Sequence, residues 1–244
     1  MKILITGAAG YQAGFVIDRL QARHELTFFD RVEPRAPGRF IGGDITRFDD
    51  VKAACAGQDA VVHLVALVRD RFDKPQDLFA DIMVKGTWNV AEACARQGVR
   101  KLVNISSIVA PGWPDDPDRL FRVGDPANFG GQDMFYCLAK HLGEEIGRAY
   151  HAGRGLAVIN LRPGIIAGDG LNPDPKRPDD DPGANWFLYV HPEDVAQAVE
   201  RAIESDAVTS GTFQVVAGHP QARYDWQATK AALGYEPQHN WEAI

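Results

Sequence analysis

Short apolar runs alternate along most of the chain with stretches whose apolar residues recur every three to four positions. The runs Lys2 to Thr6, Leu26 to Phe29, Arg39 to Gly42, Ala60 to Val65, Lys101 to Ser106 and Ala157 to Leu161 read as buried strands. Helical spacing starts with Phe15, Val16, Ile17 and Leu20 and returns from about Asp49 to Ala56. It then runs from about Asp77 to Gln97, where Gly98 fits a helix C-terminus, and again from about Met134 to Ala152. Repeated strand–helix units predict an α/β architecture, a doubly wound parallel sheet covered on both faces. No internal repeat or interdomain linker interrupts the pattern, so residues 1–244 read as a single domain.

The first strand is followed at once by Gly7 and Gly10 and then by a helix start. A strand, a glycine turn and a helix N-terminus make an anion site, because backbone can approach a phosphate and free N–H groups can bind it. Asp30 ends the second apolar run, 20 residues after Gly10, where a carboxylate can accept hydrogen bonds from an adenosine ribose. These features predict a Rossmann-type dinucleotide fold with NAD as cofactor. Negative charge on Asp30 opposes the 2′-phosphate of NADP, although Arg31 and Arg35 stand close enough in sequence to favour it.

Two segments break the regularity. Residues 111–133 are rich in Pro, Gly and Asp, and residues 163–185 contain Pro173-Asp174-Pro175-Lys176-Arg177-Pro178-Asp179-Asp180-Asp181-Pro182. Both leave the C-terminal ends of strands, where ligands bind in open α/β sheets. The substrate-binding elements are therefore expected mainly in 111–133 and in a small C-terminal region, 163–244. The 163–185 loop is expected to act as a lid, with Trp186 and Phe187 near its hinge.

Composition narrows the partners. The 244 residues are 45% apolar and 24% charged, which is ordinary for a globular chain. A net charge of −7 argues against a nucleic-acid partner. No apolar stretch is long enough to span a bilayer, and no cationic segment leads into an apolar run at the N-terminus. A cytoplasmic location is expected. Cys55, Cys94 and Cys137 lack metal-ligand spacing and read as buried apolar residues; no metal site is expected.

The candidate chemistry lies in Tyr136-Cys137-Leu138-Ala139-Lys140. Four residues apart on a helix, phenol and ammonium share a face, and a nearby cation favours the phenolate. Tyr136 can then serve as general acid/base for a substrate hydroxyl or carbonyl. Ser106-Ser107 ends the preceding strand, Ser107 lying 29 residues before Tyr136.

Together, Thr6-Gly7-x-x-Gly10-x-x-Ala13, the paired serines and Tyr136-x-x-x-Lys140 resemble the extended, epimerase/dehydratase-like branch of the short-chain dehydrogenase/reductase superfamily. The resemblance implies that Ser107 polarises the substrate oxygen, Tyr136 transfers the proton, and Lys140 holds the nicotinamide ribose while tuning Tyr136. It further implies cofactor contacts from Gly7, Ala9, Gly10, Tyr11, Gln12, Asp30 and Arg31, from Asp44-Ile45 beside adenine, and from Leu64-Val65-Ala66 behind the cofactor. Tyr136, Lys140 and Pro163 complete that set.

Gly86-Thr87-Trp88-Asn89-Val90 resembles a family helix motif in which Asn89 ties strands together. Tyr189 to Ala196 resembles a helix entry where His191 and Asp194 order a loop and cap a helix. His63 reads as a core residue. Leu233 to Pro237 resembles the family's C-terminal signature.

Within the branch the chain is most similar to uronate dehydrogenases, which are compact and oxidise a hexuronic acid with NAD. Those enzymes carry Asn-His after the paired serines, whereas Ile108-Val109 here points to a less polar substrate. The expected substrate contacts are Ser107, Ile108, Val109, Tyr136 and Arg177. The expectation is an oxidoreductase of a small hydroxyl or carbonyl compound. An NAD-retaining sugar epimerase and a non-catalytic NAD-binding regulator stay open as alternatives. The resemblance also implies a homodimer through the helices at about 77–97 and 134–152.

Overall fold

The computed structural model describes residues 1–68, 74–113, 119–130, 133–168, 188–219 and 222–240. Seven parallel strands form the main sheet: β1 (Lys2–Thr6), β2 (Glu25–Asp30), β3 (Arg39–Gly42), β4 (Ala60–His63), β5 (Lys101–Ile105), β6 (Ala157–Pro163) and β9 (Ser210–Val215), in the order β3-β2-β1-β4-β5-β6-β9. A separate parallel pair, β7 (Ile165–Ile166) and β8 (Tyr189–Val190), links the start of the second irregular segment to the chain just before α6. The helices are α1 (Tyr11–Leu20), α2 (Phe48–Cys55), α3 (Gln76–Leu78), α4 (Gly86–Gln97), α5 (Met134–Arg154), α6 (Pro192–Glu204) and α7 (Trp226–Leu233).

Strands buried on both faces give continuous apolar runs, and two cores result. Ile3, Ile5, Val62, Val103, Ile159 and Leu161 face α1 and α6. Leu4, Val61, Leu102 and Val158 pack with residues of α2 and α4. The three cysteines form no disulfide and are buried in helices.

The helical pattern from about 77 to 97 is less uniform than expected. A π-helical stretch, Phe79–Lys85, separates α3 from α4. Here the Thr87 hydroxyl donates to the Met83 carbonyl, a competitor for the helix's own ladder. Asn89 also differs from expectation: its amide donates to the Ile45 carbonyl at 2.9 Å, tying α4 to the loop after β3 rather than strand to strand. His191 caps α6 by accepting from the Glu193 N–H, while Asp194 accepts from the N–H groups of Gln238 and His239 and so holds the C-terminal segment. No helix among the described residues is long and apolar enough to cross a membrane.

Candidate active site

Strand order reverses beside β1, with β2 on one side and β4 on the other, which opens a crevice at the strands' C-terminal ends. The turn from β1 to α1 forms its floor. Gly7 has φ +76°, and a Cβ there would lie 3.0 Å from the Val65 backbone nitrogen, so only glycine lets this turn pass so close to the exit of β4. Gly10 is the extended N-cap of α1, with no described side chain capping the helix. The N-terminal N–H groups and the positive end of the helix dipole therefore face the crevice.

Asp30 stands beside that turn. Its carboxylate accepts from the N–H groups of Ala9 at 3.1 Å and Arg31 at 2.6 Å. Ala9 thus anchors Asp30, and it does not itself line the crevice. Gly7, Gly10, Asp30, Arg31, Asp44, Ile45, Leu64, Val65 and Ala66 all line one cavity of about 420 Å³. Asp44 accepts from the Thr46 N–H and hydroxyl, both at 2.9 Å, and the backbone bond holds its carboxyl below the usual range.

A second cavity, about 390 Å³, shares Gly7, Gly10, Leu64 and Ala66 with the first, so the two form one cleft. Ser107, Ile108, Val109, Tyr136, Lys140 and Pro163 line it, as do Tyr11 and Gln12. Tyr11 and Gln12 are also clasps. The Tyr11 hydroxyl donates to the Ala167 carbonyl at 3.1 Å and the Gln12 amide to the Pro192 carbonyl at 2.9 Å. Ile108 and Val109 are nearly buried and pack with Phe121, Cys137 and Tyr224, forming an apolar wall.

The two adjacent serines part company. Ser106 is buried, and its hydroxyl donates to the Glu144 carboxylate. Ser107 is half-buried and lines the cleft, its Oγ 3.3 Å from the Val109 N–H. Both residues line the second cavity, but the Ser106 hydroxyl proton is committed to a buried carboxylate.

Lys140 is buried, and its ammonium donates to the Ile105 carbonyl at 2.6 Å while lying 6.0 Å from the Tyr136 ring centre. Burial brings its pKa down to about 8, with Glu144 acting in the opposite direction. The group therefore remains mainly charged at neutral pH. Behind it, Glu144 and Arg162 form a buried pair with contacts of 2.8 and 2.7 Å. This pair spans α5 and β6, and through Ser106 it also grips the end of β5.

Several site residues escaped the sequence reading. Glu144 lies four residues beyond Lys140, the same spacing that joins Tyr136 to Lys140. Val68, Trp113, Ile165 and Ile166 line the second cavity; the irregular composition of 111–133 and 163–185 marked the region of the last three, and nothing in the sequence marked Val68. Arg177 lies outside the described residues, as do Lys176, Trp186, Phe187 and the greater part of the expected lid.

Residues 3–180 match the family described as NAD dependent epimerase/dehydratase family. The chain is 26% identical to L-arabinose 1-dehydrogenase (NAD(P)(+)) of Haloferax volcanii, with 98% of this chain and 97% of that protein covered. It is 24% identical to uronate dehydrogenase of Pseudomonas putida, covering 100% of this chain and 86% of that one. Its fold matches the crystal structure of a mutant uronate dehydrogenase from Agrobacterium tumefaciens complexed with NAD, at TM-score 0.82 and 22% identity over 99% of this chain and 86% of that chain. The family match covers most of the chain, and it contains both the glycine turn and the Tyr136–Lys140 helix: the protein belongs to the NAD dependent epimerase/dehydratase family.

Proposed function

We propose that this protein is an NAD-dependent oxidoreductase acting on a small hydroxyl or carbonyl substrate of the sugar or sugar-acid type, with Tyr136 as general acid/base. One observation carries the reading: Ser107, Tyr136 and Lys140 line the same cavity as the glycine turn of a dinucleotide-type helix N-terminus. The dehydrogenase names of its relatives support the sugar class.

The residues present fit NAD. The turn at Gly7 leaves no room for a Cβ against Val65, and the adjoining cavity carries a fixed carboxylate at the end of β2. Asp30 would accept from the adenosine ribose and disfavour a 2′-phosphate. Bound NAD supplies the hydride acceptor. The Ser107 hydroxyl would orient the substrate oxygen, and the Tyr136 phenolate would take the hydroxyl proton during oxidation and return it during reduction. The Lys140 ammonium favours the phenolate and would donate to the nicotinamide ribose. The Ile108–Val109 wall would exclude water beside the reacting carbon.

Trp88 on α4 and Leu142 on α5 are 57% and 37% exposed, and they fit a homodimer built through these helices. The testing experiment is a screen of neutral sugars, sugar acids, alcohols and aldehydes for NADH formation or consumption. Stoichiometric NADH supports the oxidoreductase. Turnover of a sugar without NADH release would favour the epimerase instead. NAD binding without any turnover would leave only the regulator.

A further inference from the structure

The second cavity has one wall whose construction the proposed chemistry does not explain. The chain leaves β5 through a succession of turns, with the Ala110 N–H donating to the Ser107 carbonyl and the Gly112 N–H to the Val109 carbonyl. Gly112 has φ +95°, and a Cβ there would lie 1.6 Å from the Asn128 carbonyl oxygen. The Asn128 N–H donates to the Pro111 carbonyl at 2.6 Å. The backbone just before Trp113 is therefore clamped against a second segment.

The side chain of Trp113 is anchored as well. Its indole Nε1 donates to Asp133 at 3.2 Å, and Asp133 is a buried residue at the N-cap of α5. Its carbonyl accepts from the Cys137 N–H at 2.9 Å, in the turn that also carries Tyr136. Trp113 is thus coupled to the helix turn that holds the phenol. Yet 37% of Trp113 remains exposed, and it belongs to none of the apolar clusters. An indole fixed by its N–H and left uncovered in a cleft is a platform whose ordering cost is already met before a ligand arrives.

The charge inventory narrows what the platform takes. Among the described residues lining this cavity, Lys140 is the only charged group, and its ammonium is engaged with the Ile105 carbonyl. The remaining walls near Ser107 and Tyr136 are largely apolar: Ile108, Val109, Ile165, Ile166 and Val68. A carboxylate entering such a place loses hydration with no free cation among these residues to replace it. A neutral ring offers a C–H face to the negative face of the indole and a hydroxyl to Ser107 and Tyr136.

We infer that Trp113 is a specificity-determining residue that stacks on the C–H face of a neutral ring substrate, an aldopyranose rather than a uronate. The inference rests on the oxidoreductase reading above and deepens it.

The test compares wild type, Trp113→Ala and Trp113→Phe with NAD and four probes: L-arabinose, D-glucose, D-glucuronate and D-galacturonate. Wild type is expected to show a kcat/KM at least about tenfold higher for a neutral sugar than for either uronate, a pocket-level discrimination. Trp113→Ala is expected to raise KM for that sugar about tenfold, with kcat falling less than about threefold, because the proton-transfer groups stay in place. Trp113→Phe keeps a ring face and is expected to stay within about threefold of wild type in KM. If Trp113→Ala does not fold, Trp113→Leu replaces it under the same criterion.

An unchanged KM in the alanine or leucine variant overturns the inference. So does an equal loss in the phenylalanine variant, or a wild-type preference for uronates. If wild type binds NAD but oxidises none of the probes nor any other compound in the wider screen, the oxidoreductase reading itself fails. That result differs from turnover that is merely insensitive to Trp113.

Discussion

His63 makes stability depend on pH in a way the structure quantifies. Its ring is buried at the end of β4, with Nδ1 2.7 Å from the Thr6 hydroxyl and Nε2 3.1 Å from the Thr87 hydroxyl. The Thr87 hydroxyl proton is given to the Met83 carbonyl at 2.5 Å, so this hydroxyl must accept from an Nε2–H. Nδ1 is then bare and accepts from Thr6. A second ring proton has no acceptor unless Thr6 turns its hydroxyl around.

Burial, reinforced by the nearby Lys140 charge, pushes the His63 pKa down from 6.5 to about 3. A base whose folded pKa is depressed contributes full stability above its unfolded pKa and loses it as pH falls, since the unfolded chain takes up the proton first. The window runs from 6.5 down to about 3. Between pH 7 and pH 5 the linkage amounts to about 2 kcal/mol, from ~1.4 kcal/mol per pH unit once the unfolded histidine is protonated.

The perturbation is His63→Gln, which removes the titration; the assay is urea unfolding followed by circular dichroism at both pH values. The variant starts from a lower stability, so only the change with pH is compared. All other titrating groups are common to both chains and cancel. Wild type should lose about 2 kcal/mol more than the variant on going to pH 5. Parallel losses, within ~0.5 kcal/mol, would refute the buried neutral tautomer and the hydrogen-bond argument behind it.

Tyr136→Phe should lower turnover at least ~10²-fold and leave the NAD dissociation constant within about twofold, as steady-state kinetics and calorimetry would show; near-normal turnover removes Tyr136 from the chemistry. Asp30→Ala should shift the NADP/NAD affinity ratio towards NADP by about tenfold, read by calorimetry with both dinucleotides, and an unchanged ratio would mean that Asp30 does not face the ribose. Gly7→Ala forces a side chain into φ +76° against the Val65 backbone. It should cost about 1–2 kcal/mol, lower Tm by several degrees and weaken NAD binding, while an unaltered Tm would contradict the close approach.

Period and punctuation made the sheet legible. A strand buried on both faces must be continuously apolar, and a covering helix must carry an apolar stripe, so β1, β4, β5 and the start of α5 could be located within a residue or two from hydrophobicity alone. The glycine turn was equally readable, because only glycine tolerates a positive φ beside another backbone. The π-helical stretch at Phe79–Lys85 was not, since its apolar residues keep a helical spacing while its hydrogen bonds depend on local competition.

Site membership divided along the same line. Residues joined by local spacing, such as Tyr136 with Lys140, could be paired on paper, because four positions on a helix are neighbours in space. The bond from Ser106 to Glu144 could not, because it depends on where Glu144 and Arg162 meet behind the sheet. Trp113 was invisible for the same reason: its partner Asp133 is 20 residues away along irregular chain. Local sequence determined the elements, the glycine turn and the Tyr136–Lys140 pairing, since those interactions span a few residues. Which side chains face the cleft and which carry buried charge was decided by packing between distant segments, where desolvation and hydrogen-bond partners exist only once the chain has folded.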